Sequence, residues 1–346
     1  MSTQALAATA SYAEDTIASE VLGRFAKAIG ERTPTAAMRR VCGELREAFG
    51  EIEPPTGLHR LLGQMRVRVI PRRIRSDGLL ELNRDGYRIG VNPARPWRRQ
   101  RFTVAHELGH ILILNALAGD REALQALSAP ALHGPVERLC DQAAAELLMP
   151  PEAVIAELEA EGLTTDGLQR LYDRFLVSWS VLYWRLVELH PGTGVSLWTR
   201  TDDERTGGTT FRISRTFAHY PEPTWLPRRL SVRYLEPDPV GYAYLHGRCT
   251  ATVSVKIRGR ESLLNGVATT IPTRRQPSQL PLYKDHLVAD EPAHPAQVAL
   301  VLSPNVVPAS LLPPELRPVQ HNLHQLQLPL YLAKTRMHRS IGNGAT

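Results

Sequence analysis

Apolar residues recur at helical spacing from Thr16 to Phe49: Ile17, Val21, Leu22, Phe25 and Ile29, then Val41, Leu45 and Phe49. Positions three and four apart share one helix face, so the pattern predicts two amphipathic helices broken at Gly30 to Pro34. Glu53-Pro54-Pro55-Thr56-Gly57 reads as a linker. Beyond it the period shortens. Val67, Val69 and Ile70 predict a short strand, Leu79 to Leu82 a second, and the alternating Tyr87, Ile89 and Val91 a third, with turns at Ser76-Asp77-Gly78 and Asp85-Gly86. A small curved antiparallel sheet is expected.

Helical spacing returns from Arg99 to about Leu117. A second helix is expected from about Val136, after Gly134-Pro135, to Leu148, where Met149-Pro150-Pro151 stops it, and a third from Glu152 to Glu161. Leu168 to Phe175 and Ser178 to Leu189 read as a helix pair resembling a helix-turn-helix. Trp179, Leu182, Trp184 and Leu186 there are of the packing rather than the base-reading kind. After Gly192 short alternating runs predominate, at Val195 to Trp198, Thr209 to Ile213, Val232 to Leu235 and Thr250 to Ile257. A hairpin is expected at Asp202 to Gly208, and proline-rich loops at Thr270 to Pro281 and Pro292 to Pro295.

The expected class is therefore α+β. N-terminal helices (1–55) precede a domain built from a small sheet and a helix bundle (56–192), a β-rich C-terminal domain (193–302) and a proline-bearing tail (303–346).

Composition narrows this reading only a little. At 346 residues, 43% hydrophobic and 22% charged, the chain has ordinary globular proportions for more than one core. No signal peptide or membrane-length apolar run is visible, and Cys42, Cys140 and Cys249 are odd in number and far apart, which points to reduced thiols and a cytoplasmic protein. The net charge of +6 hides an asymmetry. Arg60 to Arg101 holds 12 arginines against Asp77, Glu81 and Asp85, while Phe102 to Asp173 holds 12 acidic residues against Arg121, Arg138 and Arg170. Direct DNA binding by the basic run is possible in principle, but a solvated basic face is the favoured account.

The chemistry lies in Ala105-His106-Glu107-Leu108-Gly109-His110. Two histidines four apart share a helix face and can both reach one metal ion, and a glutamate beside them can take a proton from water. Zn2+ suits two imidazoles. A catalytic zinc site needs a third protein ligand and one open position, and zinc there brings water toward ionisation near neutral pH. Phe102, Val104, Ile111, Leu112, Ile113 and Leu114 surround the polar triplet, so unpartnered polar groups would be costly and a metal would relieve them.

The third ligand is not a metzincin histidine, because Ile113 and Ala116 stand where that motif needs Gly and His. Glu137 on the next helix fits best, and Asp141, one turn on, is placed to hydrogen-bond the free nitrogen of a ligating histidine. His133, in the loop before that helix, and Glu146, too far along it to share the metal, compete with Glu137. Cys140 reads as core.

With these residues in place, the chain resembles the ImmA/IrrE family of zinc-dependent metallopeptidases, through Arg101 to His110 and the block Glu137-Arg138-Leu139-Cys140-Asp141-Gln142-Ala143-Ala144-Ala145-Glu146-Leu147-Leu148-Met149-Pro150. The likeness extends over about Leu61 to Leu189, and departs from the family at Ala143, where a phenylalanine is usual. It implies a zincin-like fold, with zinc on His106, His110 and Glu137 and catalysis by Glu107. It also implies a helix-turn-helix repressor as the protein substrate, stress-response or mobile-element genes as the target, and a GAF-like sensor as a reading of the β-rich domain. The alternatives are a non-enzymatic regulator or antitoxin that uses a zincin scaffold to bind a protein or DNA, and a hydrolase of non-peptide substrates.

Overall fold

The computed structural model describes residues 19–51, 53–84, 86–190, 193–203, 208–218, 238–257, 260–272 and 295–303. The expected strand at Val232 to Leu235 and the tail from residue 304 lie outside them.

Residues 19–29 are helical (α1) and bury Val21, Leu22, Phe25 and Ala26. Gly30, at φ 81°, turns the chain out of α1. α2 (Pro34–Ala48) then starts with Pro34 in its first turn and the Thr33 hydroxyl accepting the Ala36 N–H. α3 (Leu58–Gln64) leads into β1 (Arg68–Pro71), β2 (Gly78–Asn83) and β3 (Gly86–Val91), followed by α4 (Trp97–Ala116), α5 (Arg121–Ala126) and α6 (Pro130–Leu148). α4 packs on α6, on β2 and on β3, while α2 covers another side of α6. Thr56 ties the layers together: its hydroxyl donates to the Leu147 carbonyl at 2.6 Å, and its own carbonyl accepts from buried Arg101 at 3.1 Å.

Two sequence expectations change here. The sheet is mixed rather than antiparallel, in the order β1-β3-β2, with β3 parallel to β1 and antiparallel to β2. β3 carries fully buried Ile89 and Val91, so it takes the centre, and the hairpin closing at the Asn83–Gly86 pair folds it back between its neighbours. The second change is that α6 begins at Pro130 and runs through Gly134 and Pro135. An interior proline loses a hydrogen bond at roughly 3 kcal/mol. Against that, Leu132, Val136, Leu139 and Ala143 are all buried along one stripe, each large side chain contributing about 1.5–3 kcal/mol. Tertiary burial overrides the local breaker, and His133 lies on the helix instead of in a loop.

The described residues gather into two compact units, one from those up to Val154 with Asp173–Ser178, the other from Ile155–Tyr172 and the described residues from Trp179 onward. The second holds most of α7 (Pro151–Glu161) and α8 (Thr165–Phe175), all of α9 (Trp179–Leu189), and a five-stranded antiparallel sheet. Its strands are β4 (Gly194–Asp203), β5 (Gly208–Ala218), β6 (Arg248–Ile257), β7 (Arg260–Pro272) and β8 (Pro295–Ser303), in the order β5-β4-β8-β7-β6. The hairpin expected at Asp202 to Gly208 joins β4 to β5, and β7 extends through Thr270 to Pro272, where a loop was expected. α10 (Asp238–His246) packs on β6, β7 and β8, closing a core around Trp198, Val240, Leu264, Val298 and Leu300. In α9, Trp179, Leu182 and Leu186 are buried as packing residues, whereas Trp184 is half exposed with one edge on Phe217. Among the described residues no helix is long and apolar enough to cross a membrane.

Candidate metal centre

His106 and His110 stand one turn apart on α4, their ring centroids 5.1 Å from each other. α6 crosses this face and brings Glu137 to both: Glu137 Oε2 lies 3.2 Å from His106 Nε2, and Oε1 lies 3.3 Å from His110 Nε2. Asp141, one turn along α6, has Oδ1 2.9 Å from His106 Nδ1. A proton on Nδ1, given to Asp141, leaves the Nε2 lone pair of His106 facing the Glu137 carboxylate. A positive charge placed between these groups, a proton on an imidazole or a metal ion, would be stabilised by the carboxylate. Ligands held about 2.0–2.1 Å from a tetrahedral zinc stand about 3.3 Å apart, which matches the two separations between Glu137 and the histidines.

The close crossing depends on Gly109. A Cβ there would stand 2.8 Å from the Ala143 Cβ and 3.0 Å from the Cys140 Cα, neither of which can swing away. Ala143, the departure from the usual phenylalanine, is fully buried at this contact. Gly109→Ala is expected to push α4 off α6 and destabilise the protein by about 1–3 kcal/mol, read from chemical denaturation. An unchanged midpoint would show that the crossing has slack.

Glu107 faces β2 and is buried at 8% exposure. A Cβ on Gly78 would lie 2.6 Å from Glu107 Oε1 and 2.4 Å from Thr103 Cγ2, so the strand approaches the carboxylate more closely than any other residue type allows. Burial, reinforced by Glu137 and opposed by His106, pushes the Glu107 carboxyl above its ordinary range. Burial works against the charged form of His106, but Asp141, Glu137 and Glu107 outweigh it and hold the imidazole above its usual value. His110 moves down, through burial first and then His106, with His133 adding to the effect against Glu137.

These side chains open into a cleft of about 690 Å³, bordered by Leu79 and Leu80 of β2 on one side and by Ala129, His133 and Val136 on the other. Among the expected competitors, Glu146 is buried and paired with Arg39 at 3.1 Å, away from the cleft. Cys140 is buried beside the histidines, and its thiol, with His106 and His110, makes a second conceivable donor group. Burial and the nearby carboxylates push that thiol well up, which disfavours the thiolate that ligation needs. All three cysteines are free thiols.

The arginine run has structural employment. Arg72 pairs with Glu81, Arg95 and Arg99 share Asp77, and buried Arg98 and Arg101 donate to the Val177 and Thr56 carbonyls.

Residues 65–187 match the IrrE N-terminal-like domain, and this segment contains all of His106, Glu107, His110, Glu137 and Asp141. The chain is similar to the radiation response metalloprotease IrrE of Deinococcus radiodurans, 42% identical over 106 residues, or 29% of this chain and 31% of that protein. It is also similar to the protein of the same name from Deinococcus deserti, 38% identical over 117 residues, 32% of this chain and 40% of that one. The matched stretch thus spans well under half the length of either relative. A solved Mycobacterium tuberculosis transcriptional regulator aligns over 83% of this chain and 80% of its own length, at 15% identity and a TM-score of 0.45. The match of residues 65–187 to the IrrE N-terminal-like domain, with the two IrrE relatives, agrees with the resemblance to the ImmA/IrrE family of metallopeptidases read from the sequence.

Proposed function

We propose that this protein is a zinc-dependent endopeptidase that cleaves a helix-turn-helix repressor in the cytoplasm and so switches on stress-response or mobile-element genes. The observation that carries the proposal is the convergence of His106 Nε2 and His110 Nε2 on the Glu137 carboxylate at 3.2 and 3.3 Å, with Glu107 in the wall of the same cleft.

In this reading His106, His110 and Glu137 hold the zinc, and Asp141 fixes the His106 ring and its tautomer. The bound zinc supplies the Lewis acidity that makes water a nucleophile near neutral pH. Glu107, in the wall of the cleft, would take a proton from water attacking the scissile carbonyl and return it to the departing amine. The raised affinity of Glu107 for a proton suits it to both steps. β2 is an edge strand, and Leu79 and Leu80 border the cleft, so an extended peptide can add alongside it with its carbonyl toward Glu107. A peptide paired along an edge strand can run past the cleft in both directions, which suits cleavage inside a chain. The peptidase part is taken as residues 56–192, and the antiparallel sheet in 193–302 is read as a sensor-like module that governs it.

The test uses the full chain, its zinc content and a set of repressors encoded nearby. About one zinc per chain is expected, with cleavage of one repressor abolished by a chelator and restored by added zinc. Cleavage that survives metal removal would overturn the proposal, as would a protein that neither binds zinc nor cuts any repressor offered.

A further inference from the structure

α4 and α6 each carry a pair of donor side chains four residues apart: His106 and His110 on one, His133 and Glu137 on the other. The mechanism above uses three of the four. His133 lines the same cleft, with Nδ1 3.6 Å from Glu137 Oε1, too long for a hydrogen bond and a few tenths of an ångström beyond the Glu137 contacts to His106 and His110. Its side chain is 78% exposed and so keeps its rotamer freedom. The turn that bears it is also weakly tied, because Pro135 has no N–H to give to the carbonyl of residue 131.

Two i,i+4 pairs on crossing helices thus meet at the Glu137 carboxylate, which faces His106, His110 and His133. Closed zinc sites have four protein ligands, whereas hydrolytic sites keep three and leave the last position to water. We propose that His133 is a fourth donor that closes the metal centre in the resting protein, occupying the position the attacking water needs, so that the peptidase stays shut until His133 is drawn away. This rests on the zinc reading of His106, His110 and Glu137. It makes the mouth of α6, from Pro130 to Gly134, the part on which an activating partner or substrate acts.

The experiment compares the full-length wild type with His133→Ala, which alters an exposed side chain and leaves the core untouched. Cobalt is loaded in place of zinc and the visible spectrum recorded. Zinc affinity is measured by competition with a chromophoric chelator, and cleavage is measured per zinc-loaded chain. A closing ligand gives a changed cobalt spectrum in His133→Ala, zinc affinity at least about tenfold weaker, the low end of what even an outer-shell partner contributes, and cleavage that rises. An identical spectrum and affinity would overturn the proposal. So would an unchanged affinity with a lowered kcat, which would instead place His133 on the substrate. The double variant His110→Ala/His133→Ala serves as control: if it retains zinc with wild-type affinity, the metal centre itself is wrongly assigned and the inference falls with it. Zinc lost from the double variant with wild-type affinity in His133→Ala sinks the inference alone.

Discussion

Glu107→Gln is expected to keep the wild-type zinc content and to lose cleavage by roughly a hundred- to ten-thousandfold, the range that positioned acid–base groups contribute. Glutamine has the same size and shape, which matters because Glu107 sits in a slot so narrow that a Cβ on Gly78 would stand 2.6 Å from its Oε1. The amide therefore fills the space and leaves α4 and β2 where they are, but it has no lone pair basic enough to take a proton from water. Glu107 lies beside the three donors facing Glu137 rather than among them, so the metal is expected to stay. Zinc per chain and kcat/KM on the cleaved repressor are the two readings. A variant that cuts within tenfold of wild type would mean that another group is the base, and a variant that loses zinc as well would make Glu107 a ligand or a support of one.

The clustering of these side chains was largely legible in the sequence because its parts are local. His106, Glu107 and His110 lie within two turns of one helix, and the helix period alone puts the histidines on one face. Glu137 and Asp141 could be picked out because they sit one turn apart on the very next long helix, where few other ligand-type residues compete. Features that depend on approach between distant segments were not visible. The need for glycine at 78 arises from a strand running against α4, and the need for glycine at 109 from the crossing with α6. In the sequence both are simply glycines near a motif.

His133 shows how a local rule misleads. Gly134-Pro135 is a sound breaker by propensity, and it placed His133 in a loop. The stripe Leu132, Val136, Leu139 and Ala143 continues the helix through it, and that stripe was the signal that could have found His133 on the same face as Glu137. The mixed sheet was hidden for a related reason: alternation reveals a strand and its buried face but not its neighbour, and β3 takes the centre because its partners on both sides are shorter of buried residues. The charge runs were legible as composition and silent about use. Arg98 and Arg101, which look like part of a basic surface, are buried donors to backbone carbonyls.

Removing Glu137 is expected to have the other large effect, this time on the metal. In Glu137→Ala the imidazoles remain without the anion that faces His106 and His110, and Glu137 contributes the only carboxylate within 3.3 Å of the two Nε2 atoms among the described contacts. Even with His133 as a further donor, the set has lost its anion and falls short of the four protein ligands of the closed site, so the variant is expected to purify without zinc. Folding gives a second, independent readout. A metal that binds only the folded chain stabilises it by about 2.7 kcal/mol when free zinc is a hundred times its Kd. The wild-type melting temperature should therefore rise on adding zinc, while that of Glu137→Ala stays where the metal-free wild type lies. Glu137 is 39% exposed, so its loss leaves no buried void, and the metal-free variant should melt close to the metal-free wild type. Glu137→Gln separates charge from shape: it keeps a neutral oxygen at the centre, so a partial zinc response places the carboxylate's contribution in its charge. A Glu137→Ala protein that still binds zinc with wild-type affinity would remove Glu137 from the centre and turn attention to the Cys140 thiol, which lies with both histidines in the one other donor group the described residues offer.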